Sequence, residues 1–307
     1  MEDYYDFAGA ILQIEHENDN VFRYIDNEIK AYKTEKGAPA FFVKIKKKRT
    51  EIPEKAVRTT VLDGQSIYSY GKQMLFIDKE KRYVIAFNPT QKEIIANYVE
   101  DGGELLKMLR LLIKWIVIIS AQESGSLYLH ASAARYKGKN IIFCGDSHCG
   151  KSSCLLRLVQ NGAKAISDDS VLFNGENLIP FTMNTTIDGD LEKRFGINSG
   201  EFDISGYMDH NLEYGKADIV IFLKVWNNST SEIREVEYKH ALLNLINIYK
   251  KEIPMISTIF DKSLWEGSGA VFKKYASLLE NTKCFEFYAG FDEEEVRKSL
   301  LEFLDRS

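Results

Sequence analysis

Short apolar runs and polar turn residues alternate through the first hundred positions of the chain, a pattern typical of β-strands. Runs rich in β-branched and aromatic side chains predict strands over residues 7–14, 41–45, 57–62, 73–77 and 83–87. Turn-forming pairs such as Asp63-Gly64 and Asn88-Pro89 separate these runs. We therefore predict a β-rich N-terminal domain over residues 1–103.

A helical period replaces this pattern after Asp101-Gly102-Gly103. Apolar side chains recur at positions 105, 108, 109, 112, 113 and 116, which predicts an amphipathic helix over residues 104–120 that covers the start of a second domain. Apolar runs and helical patterns then alternate, with strands predicted over 127–136, 141–144, 163–167, 218–225 and 284–288 and later helices over 239–250, 263–281 and 292–305. This order predicts an α/β domain over residues 104–307, with irregular acceptor-side loops between Phe181 and Tyr214.

A glycine-rich loop lies between one of these strands and the helical pattern after it. Residues 140–153 read Asn-Ile-Ile-Phe-Cys-Gly-Asp-Ser-His-Cys-Gly-Lys-Ser-Ser and contain the pattern Gly-x4-Gly-Lys-Ser. In such a loop the glycines let the backbone wrap a polyphosphate, while successive N–H groups and the helix N-terminus attract its negative charge. The candidate nucleotide-binding residues are Gly145, Asp146, Ser147, His148, Cys149, Gly150, Lys151, Ser152 and Ser153.

Two roles within this loop follow from the chemistry of phosphoryl transfer. Lys151 is expected along the β- and γ-phosphates of ATP or another nucleoside triphosphate, and Ser152 is expected to hold Mg²⁺. The apolar run before Gly145 and the helical pattern after the loop, which Gly162 ends, give the required order of strand, loop and helix. The alternative is an ordinary glycine turn between a strand and a helix.

Two adjacent carboxylates, Asp168 and Asp169, follow the next predicted strand. Phosphoryl transfer needs one carboxylate beside Mg²⁺ and, for a hydroxyl acceptor, often a second carboxylate as the base. Neighbouring side chains on a strand point to opposite faces, so the strand must end before this pair if both carboxylates reach the site. The alternative is an Asp-Asp turn without a chemical role.

His130 is the remaining catalytic candidate. If the strands on either side of Lys137-Gly138-Lys139 pair as a hairpin with a two-residue turn, the register puts His130 opposite residues 145–147. An imidazole would then lie at the mouth of the phosphate site, which suits a functional role. The alternative is a structural histidine, the commoner use of a lone histidine on a strand.

Composition and charge exclude several classes of function. The 307 residues are 45% hydrophobic and 28% charged, and the net charge of −5 gives no reason to expect nucleic-acid binding. The acidic N-terminus does not match a signal peptide. Basic side chains interrupt the most apolar segment, residues 105–119, which is also too short to span a bilayer. We therefore expect a cytoplasmic protein without a membrane span. The basic run at residues 44–49 is expected to be a solvated strand and turn, with docking of an acidic peptide as the alternative.

Three of the four cysteines lie around the phosphate loop, and their number and placement suggest a reducing compartment rather than a disulfide framework. Cys149 is expected to be a small residue that simply fits the loop. The alternative is a reactive thiol at a helix N-terminus, where a lowered pKa would let its oxidation block nucleotide binding.

These residues together resemble the C-terminal catalytic domain of the HPr kinase/phosphorylase family, on the phosphoenolpyruvate-carboxykinase type of P-loop fold. The resemblance covers residues 127–173 and rests on Leu129-His130, residues 143–147, Gly150-Lys151-Ser152, Gly162 and Ser167-Asp168-Asp169. Relatives in bacterial peptide-modifying systems, including lasso-peptide kinases, are similar in layout. His148 and Cys149 depart from the smaller residues of the family, and Arg194-Phe195-Gly196-Ile197 only partly matches its arginine-glycine signature.

The resemblance implies an ATP- and Mg²⁺-dependent kinase that acts on a Ser or Thr hydroxyl of a peptide or protein, such as a ribosomally made peptide precursor. It implies Asp168 as the acid/base, His130 near phosphate or metal, and Asp169 with Ser152 as metal ligands. The order of the two aspartates stays open, as do the donor (ATP, GTP or pyrophosphate), a phosphorylase reaction and homo-oligomer formation. The alternatives are a small-molecule kinase acting on free serine and a non-catalytic nucleotide-binding accessory protein.

Overall fold

The chain forms two units, which a computed structural model describes over residues 1–7, 9–62, 64–181, 214–257 and 268–307. The first unit is Met1–Ser124 and the second is Gly125–Ser307. The amphipathic helix assigned to the second domain from its sequence lies in the first unit, because it packs on strands of that unit's sheet. Most of the expected acceptor-side loops, including residues 194–197, and the start of the helix predicted over 263–281 lie outside the described residues.

The N-terminal unit is built on a nine-stranded sheet, as its β-rich sequence predicts. In spatial order the strands run β3-β1-β2-β4-β9-β8-β7-β6-β5. Their bounds are β1 Glu2–Phe7, β2 Ala10–Glu15, β3 Lys33–Thr34, β4 Phe41–Lys47, β5 Val57–Leu62, β6 Gln65–Tyr70, β7 Gln73–Ile77, β8 Tyr83–Asn88 and β9 Glu93–Tyr98. The helices of this unit are α1 Asn20–Ile29 and α2 Gly103–Glu123.

Strand β4 illustrates how the sequence pattern produces this sheet. Phe41, Val43 and Ile45 are fully buried on one face, as the period of two requires. On the other face, Lys44 pairs with Glu93 at 2.9 Å and Lys46 pairs with Glu15 at 3.1 Å, both across neighbouring strands. Part of the basic run is therefore neutralised by carboxylates of its own sheet.

The region predicted as one strand over residues 7–14 is instead a hairpin. Strands β1 and β2 pair antiparallel, with Phe7 opposite Ala10. The turn depends on Gly9, whose φ of 89° favours glycine and whose N–H donates to the Asp6 carboxylate at 2.6 Å. Helix α1 also has no counterpart among the sequence predictions, although Asp19 caps its N-terminus by accepting a hydrogen bond from Phe22 N–H.

The C-terminal unit contains a six-stranded mixed sheet and a smaller three-stranded sheet among the described residues. Their orders are β13-β11-β12-β16-β18-β17 and β10-β14-β15. The strands are β10 Leu127–Leu129, β11 Ala131–Tyr136, β12 Lys139–Cys144, β13 Lys164–Ser167, β14 Val171–Phe173, β15 Leu178–Pro180, β16 Ile219–Val225, β17 Glu232–Glu235 and β18 Lys283–Ala289. The helices are α3 Lys151–Gln160, α4 Tyr238–Ser257, α5 Ser268–Leu279 and α6 Glu293–Arg306.

The larger sheet lies between two layers of helices. At its centre β12, β16 and β18 run parallel, and the apolar runs of β12 and β16 are buried on both faces, as expected for parallel strands. Apolar side chains of α3 and α6 pack against one face, and those of α4 and α5 pack against the other. This arrangement confirms the α/β class predicted from the alternating pattern.

The hairpin that leads to the glycine-rich loop forms as predicted. Strands β11 and β12 pair from Tyr136↔Lys139 to Ala131↔Cys144, so continuing this register puts His130 opposite Gly145. The two turn residues between them, Lys137 and Gly138, have φ values of 48° and 82°, the left-handed conformation of a type I′ turn. The predicted strand over 127–136 is interrupted at His130, because β10 before it joins the smaller sheet.

No helix in the described ranges is both long enough and apolar enough to cross a membrane. The longest of them, α2, is buried at every position from Trp115 to Gln122 and contacts strands β2, β4, β8 and β9 of the N-terminal unit.

We predict that the central parallel strands dominate the stability of the C-terminal unit. Ile221 on β16 is fully buried, so Ile221→Ala should lower the free energy of unfolding by about 2–5 kcal/mol through lost burial and the cavity left behind. Val225 on the same strand is 79% exposed, so Val225→Ala should change the free energy of unfolding by less than about 0.5 kcal/mol. Urea unfolding of both variants checks this, and equal losses would contradict the layer assignment.

Candidate functional site

The glycine-rich loop connects β12 to α3 and contains three residues with positive φ. Gly145, His148 and Gly150 have φ values of 156°, 62° and 99°, and α3 begins directly afterwards at Lys151. A Cβ atom on Gly145 would meet Cys149 Sγ at 2.5 Å and the Leu223 carbonyl oxygen at 3.0 Å. Glycine is therefore required at this position for both conformational and steric reasons.

The side chain of Lys151 lies within the loop rather than in solvent. It is buried, and its ammonium group donates to the carbonyl oxygens of Gly145 at 3.2 Å and Asp146 at 3.0 Å. These two bonds hold the positive charge beside the backbone that would surround a phosphate.

Asp168 joins three elements of the C-terminal unit at one carboxylate oxygen. Its Oδ1 atom accepts hydrogen bonds from Ser132 Oγ of β11 at 2.5 Å and from Ser152 Oγ of α3 at 3.0 Å. Asp168 itself directly follows β13, which ends at Ser167 as the pair of aspartates requires. The first turn of α3 is thus bonded to Asp168 through Ser152, whose hydroxyl was expected to hold Mg²⁺.

The electrostatics of Asp168 are unfavourable in the absence of a cation. Burial raises the pKa of the Asp168 carboxyl above its usual value of 3.8, and the neighbouring Asp169 acts in the same direction. The hydrogen bonds from Ser132 and Ser152 oppose this shift by stabilising the ionised form. The carboxylate is held in a position where added positive charge would be strongly favourable.

Asp169 turns away from Asp168 towards His130. Its φ of 66° is left-handed, a conformation that non-glycine residues adopt rarely, and Asp is among those that tolerate it best. The carboxylate is about half exposed, and its Oδ1 atom lies 3.4 Å from His130 Nδ1. This backbone conformation lets the two adjacent carboxylates point to different partners, Asp168 to Ser132 and Ser152 and Asp169 to His130.

Ser167 fixes the turn that carries both aspartates. Its hydroxyl oxygen accepts a hydrogen bond from Phe181 N–H at 3.1 Å and lies within bonding range of the carbonyl oxygens of Ser170 and Phe181. The residue is fully buried. A buried hydroxyl with these partners makes the turn rigid, which positions the carboxylates before any ligand arrives.

The outer part of the loop is exposed and carries charge. Asp146, Ser147 and His148 face solvent, whereas Ser153 is buried on α3. Both carboxylate oxygens of Asp146 lie within hydrogen-bond distance of Lys251 Nζ, at 2.7 and 2.8 Å. Lys251 belongs to α4, so a second lysine reaches the loop from the opposite layer of helices.

The surroundings of Cys149 favour a small residue that fits the loop over a reactive thiol. Burial raises the pKa of the Cys149 thiol, and the effect exceeds the opposing influence of Lys151. The sulfur occupies the space beside Gly145 that a Cβ atom would otherwise fill. Cys149 therefore acts as a small apolar residue that completes the loop, in agreement with the interpretation that the sequence favours.

The structure thus brings together the sequence candidates around the loop, the two aspartates and His130. Sequence reasoning missed two contributors, Ser132 and Lys251. Ser132 had a usable signal, since it lies two positions after His130 near the start of one strand. Lys251 had none, because 105 residues separate it from Asp146.

Within the part of the chain that the structure describes, no group of three or more His, Cys, Asp or Glu side chains is arranged to hold a metal ion. This does not conflict with a magnesium site at the loop, because Mg²⁺ commonly binds one or two protein oxygens and completes its shell with water and phosphate. Ser152 and Asp168 provide oxygens of that kind.

No family model and no curated protein matches the chain. Among solved structures, the chain is similar to the HPr(Ser) kinase/phosphatase from Coxiella burnetii, with 14% sequence identity and a TM-score of 0.22. The match covers 43% of this chain and 95% of the other. This likeness is weak.

We predict that Asp168 lowers the stability of the folded protein at neutral pH. Folding raises the pKa of its carboxyl, so the folded state is favoured by protonation and loses stability as pH rises from the usual value of 3.8 through the higher folded value. Asp168→Asn should therefore melt at a higher temperature than the wild type at neutral pH. The advantage should disappear once the pH falls below 3.8.

Thermal unfolding across pH checks this prediction, with Glu176→Gln as the matched control. Glu176 lies exposed in the turn after β14, so its neutralisation should leave the melting temperature nearly unchanged at every pH. A melting temperature for Asp168→Asn at or below that of the wild type at neutral pH would contradict the unfavourable burial of this carboxylate.

Proposed function

We propose that the C-terminal unit is a phosphotransferase that moves the γ-phosphoryl group of a nucleoside triphosphate, foremost ATP, to a Ser or Thr hydroxyl with the help of Mg²⁺. The observation that carries the proposal is the hydrogen bond between Ser152 and Asp168 at the start of the helix that follows the glycine-rich loop. In nucleotide-binding sites of this type, the loop serine and a carboxylate from another strand hold the metal together.

The loop fits a triphosphate on three grounds. The first N–H groups of α3 have no partner within the helix and carry its positive end, which favours a negatively charged group at this point. The space where a Gly150 Cβ atom would lie is open, so a ligand can approach the backbone closely. Lys151 adds a full positive charge that is already held at the loop.

Ser152 and Asp168 fit a magnesium ion. Both present oxygen atoms, the ligand type that Mg²⁺ prefers, and burial has already removed the Asp168 carboxylate from much of its water. Bound Mg²⁺ would neutralise the charge that develops on the phosphates during transfer. We therefore assign the metal-side role to Asp168, whereas the resemblance gave that role to Asp169 and left the order of the pair open.

Asp169 and His130 then form the base on the acceptor side. Asp169 is accessible to a substrate hydroxyl, and His130 lies close enough to share or receive the proton. The hydroxyl oxygen forms a bond to the γ-phosphorus as the bond from that phosphorus to the nucleoside diphosphate breaks, and the hydroxyl proton passes to Asp169. Lys151 and the loop N–H groups stabilise the negative charge on the leaving diphosphate.

We propose a peptide or protein as the acceptor, following the resemblance to the HPr kinase family and to lasso-peptide kinases. Residues 182–213, which were expected to form the acceptor side, lie outside the described residues, so the acceptor is identified by experiment. Transfer to free serine alone would establish the small-molecule alternative. Nucleotide binding without transfer to any acceptor would establish the accessory-protein alternative.

The roles of the loop and the aspartates predict different defects. Lys151→Ala should lower phosphoryl transfer by roughly 10²–10³-fold, because a preorganised charge at the phosphates is lost. Asp168→Asn should weaken Mg²⁺ binding as well as transfer. Asp169→Asn should keep Mg²⁺-dependent nucleotide binding and lower transfer by roughly 10²–10⁴-fold.

Transfer of labelled phosphate from γ-labelled ATP to a panel of Ser- and Thr-containing peptides measures activity, and calorimetry with a non-hydrolysable ATP analogue measures binding. Lys139→Ala is the control, since this lysine opens β12 at the end away from the loop and its variant should behave as the wild type. Full transfer by Lys151→Ala would contradict the site. Loss of metal dependence in Asp169→Asn but not in Asp168→Asn would reverse the assigned roles.

A further inference from the structure

Asp146 is a negative charge in the part of the protein that would receive a triphosphate. Its carbonyl oxygen accepts a hydrogen bond from Lys151, so its backbone belongs to the loop that surrounds the proposed phosphate site. An uncompensated carboxylate close to a polyphosphate repels it. An acidic side chain here works against the function of the loop unless its charge is offset.

Lys251 supplies the missing charge. Its Nζ atom lies 2.7 and 2.8 Å from the two carboxylate oxygens of Asp146, so the ammonium group bridges both. Both side chains are exposed, at 64% for Lys251 and 61% for Asp146, so the pair lies on the surface and adds little to folding stability. Because the ion pair between Lys251 and Asp146 contributes little to stability and lies on the glycine-rich loop, we look for its role in the binding of a polyphosphate to that loop.

We propose that Lys251 is an electrostatic positioning residue, which neutralises Asp146 and thereby lets the loop accept a polyphosphate. The inference rests on the proposed function, since it assumes that the loop binds phosphate. It adds a residue from α4 to a site otherwise formed by β11, the loop, α3 and the turn after β13. It also explains how the loop tolerates an acidic residue next to its first glycine.

A direct bond from Lys251 to the phosphates is the competing role, and the two differ in a double-mutant cycle. If Lys251 only neutralises Asp146, then removing both charges restores affinity, because no repulsive carboxylate remains. If Lys251 binds the phosphates itself, Asp146→Asn cannot compensate for its loss. The pair of variants therefore separates neutralisation from direct contact.

The experiment is calorimetric titration of the full chain with a non-hydrolysable ATP analogue and Mg²⁺, at low and high ionic strength. Lys251→Ala should weaken binding by roughly 5-fold at low ionic strength and by less in high salt, because exposed charges are screened. Asp146→Asn/Lys251→Ala should bind as tightly as Asp146→Asn alone, and Lys251→Arg should keep wild-type affinity. Lys250→Ala is the matched control, since it removes an exposed lysine next to Lys251 on α4 and should have no effect.

Failure of this inference is distinguishable from failure of the proposed function. Wild-type affinity in Lys251→Ala, or a double variant as weak as Lys251→Ala, would overturn the neutralising role while the loop still binds nucleotide. Equal weakening by Lys250→Ala would also overturn it, because the effect would then reflect net charge alone. A wild-type chain that does not bind the analogue, with Lys151→Ala indistinguishable from it, would overturn both the proposed function and this inference.

Discussion

The interaction on which the site depends is the shared hydrogen bonding of the Asp168 carboxylate by Ser132 and Ser152. These bonds connect β11, β13 and α3, so one oxygen atom fixes the end of a strand, the turn after another strand and the first turn of the helix that follows the loop. The carboxylate is held where its ionised form is disfavoured by burial. Such an arrangement costs stability, and under the proposed function a bound cation would offset that cost.

The topology of the C-terminal unit explains why these groups meet. The parallel strands β12, β16 and β18 form a buried centre, and the glycine-rich loop leaves the sheet where β12 ends. Strand β11 pairs antiparallel with β12, and β13 pairs antiparallel with the other edge of β11, so Ser132 and the two aspartates come to the same region. Helix α4 reaches the loop from the other face through Lys251. The loop itself is one short continuous segment, but the side chains around it come from several distant parts of the chain.

The sequence predicted what depends on local pattern. The order of strand, loop and helix around Gly145 and the hairpin register that places His130 beside the loop follow from periodicity and turn chemistry, and the structure agrees with both. It did not predict what depends on burial or on distant contacts. The pKa of the Cys149 thiol depends on the surrounding packing, and the partnership of Lys251 with Asp146 depends on the path of α4. Helix α2 was assigned to the wrong unit, because its apolar stripe does not say which sheet it covers.

A crystal structure of the protein with Mg²⁺ and a non-hydrolysable ATP analogue tests the central claim most directly. The account predicts that the phosphates lie within the loop at residues 145–150, with Lys151 at the outer phosphates. The metal should lie about 2.1 Å from Ser152 Oγ, with the Asp168 carboxylate as a ligand or joined through one water molecule. A nucleotide bound elsewhere, or a metal on Asp169 while Ser152 keeps its bond to Asp168, would contradict it.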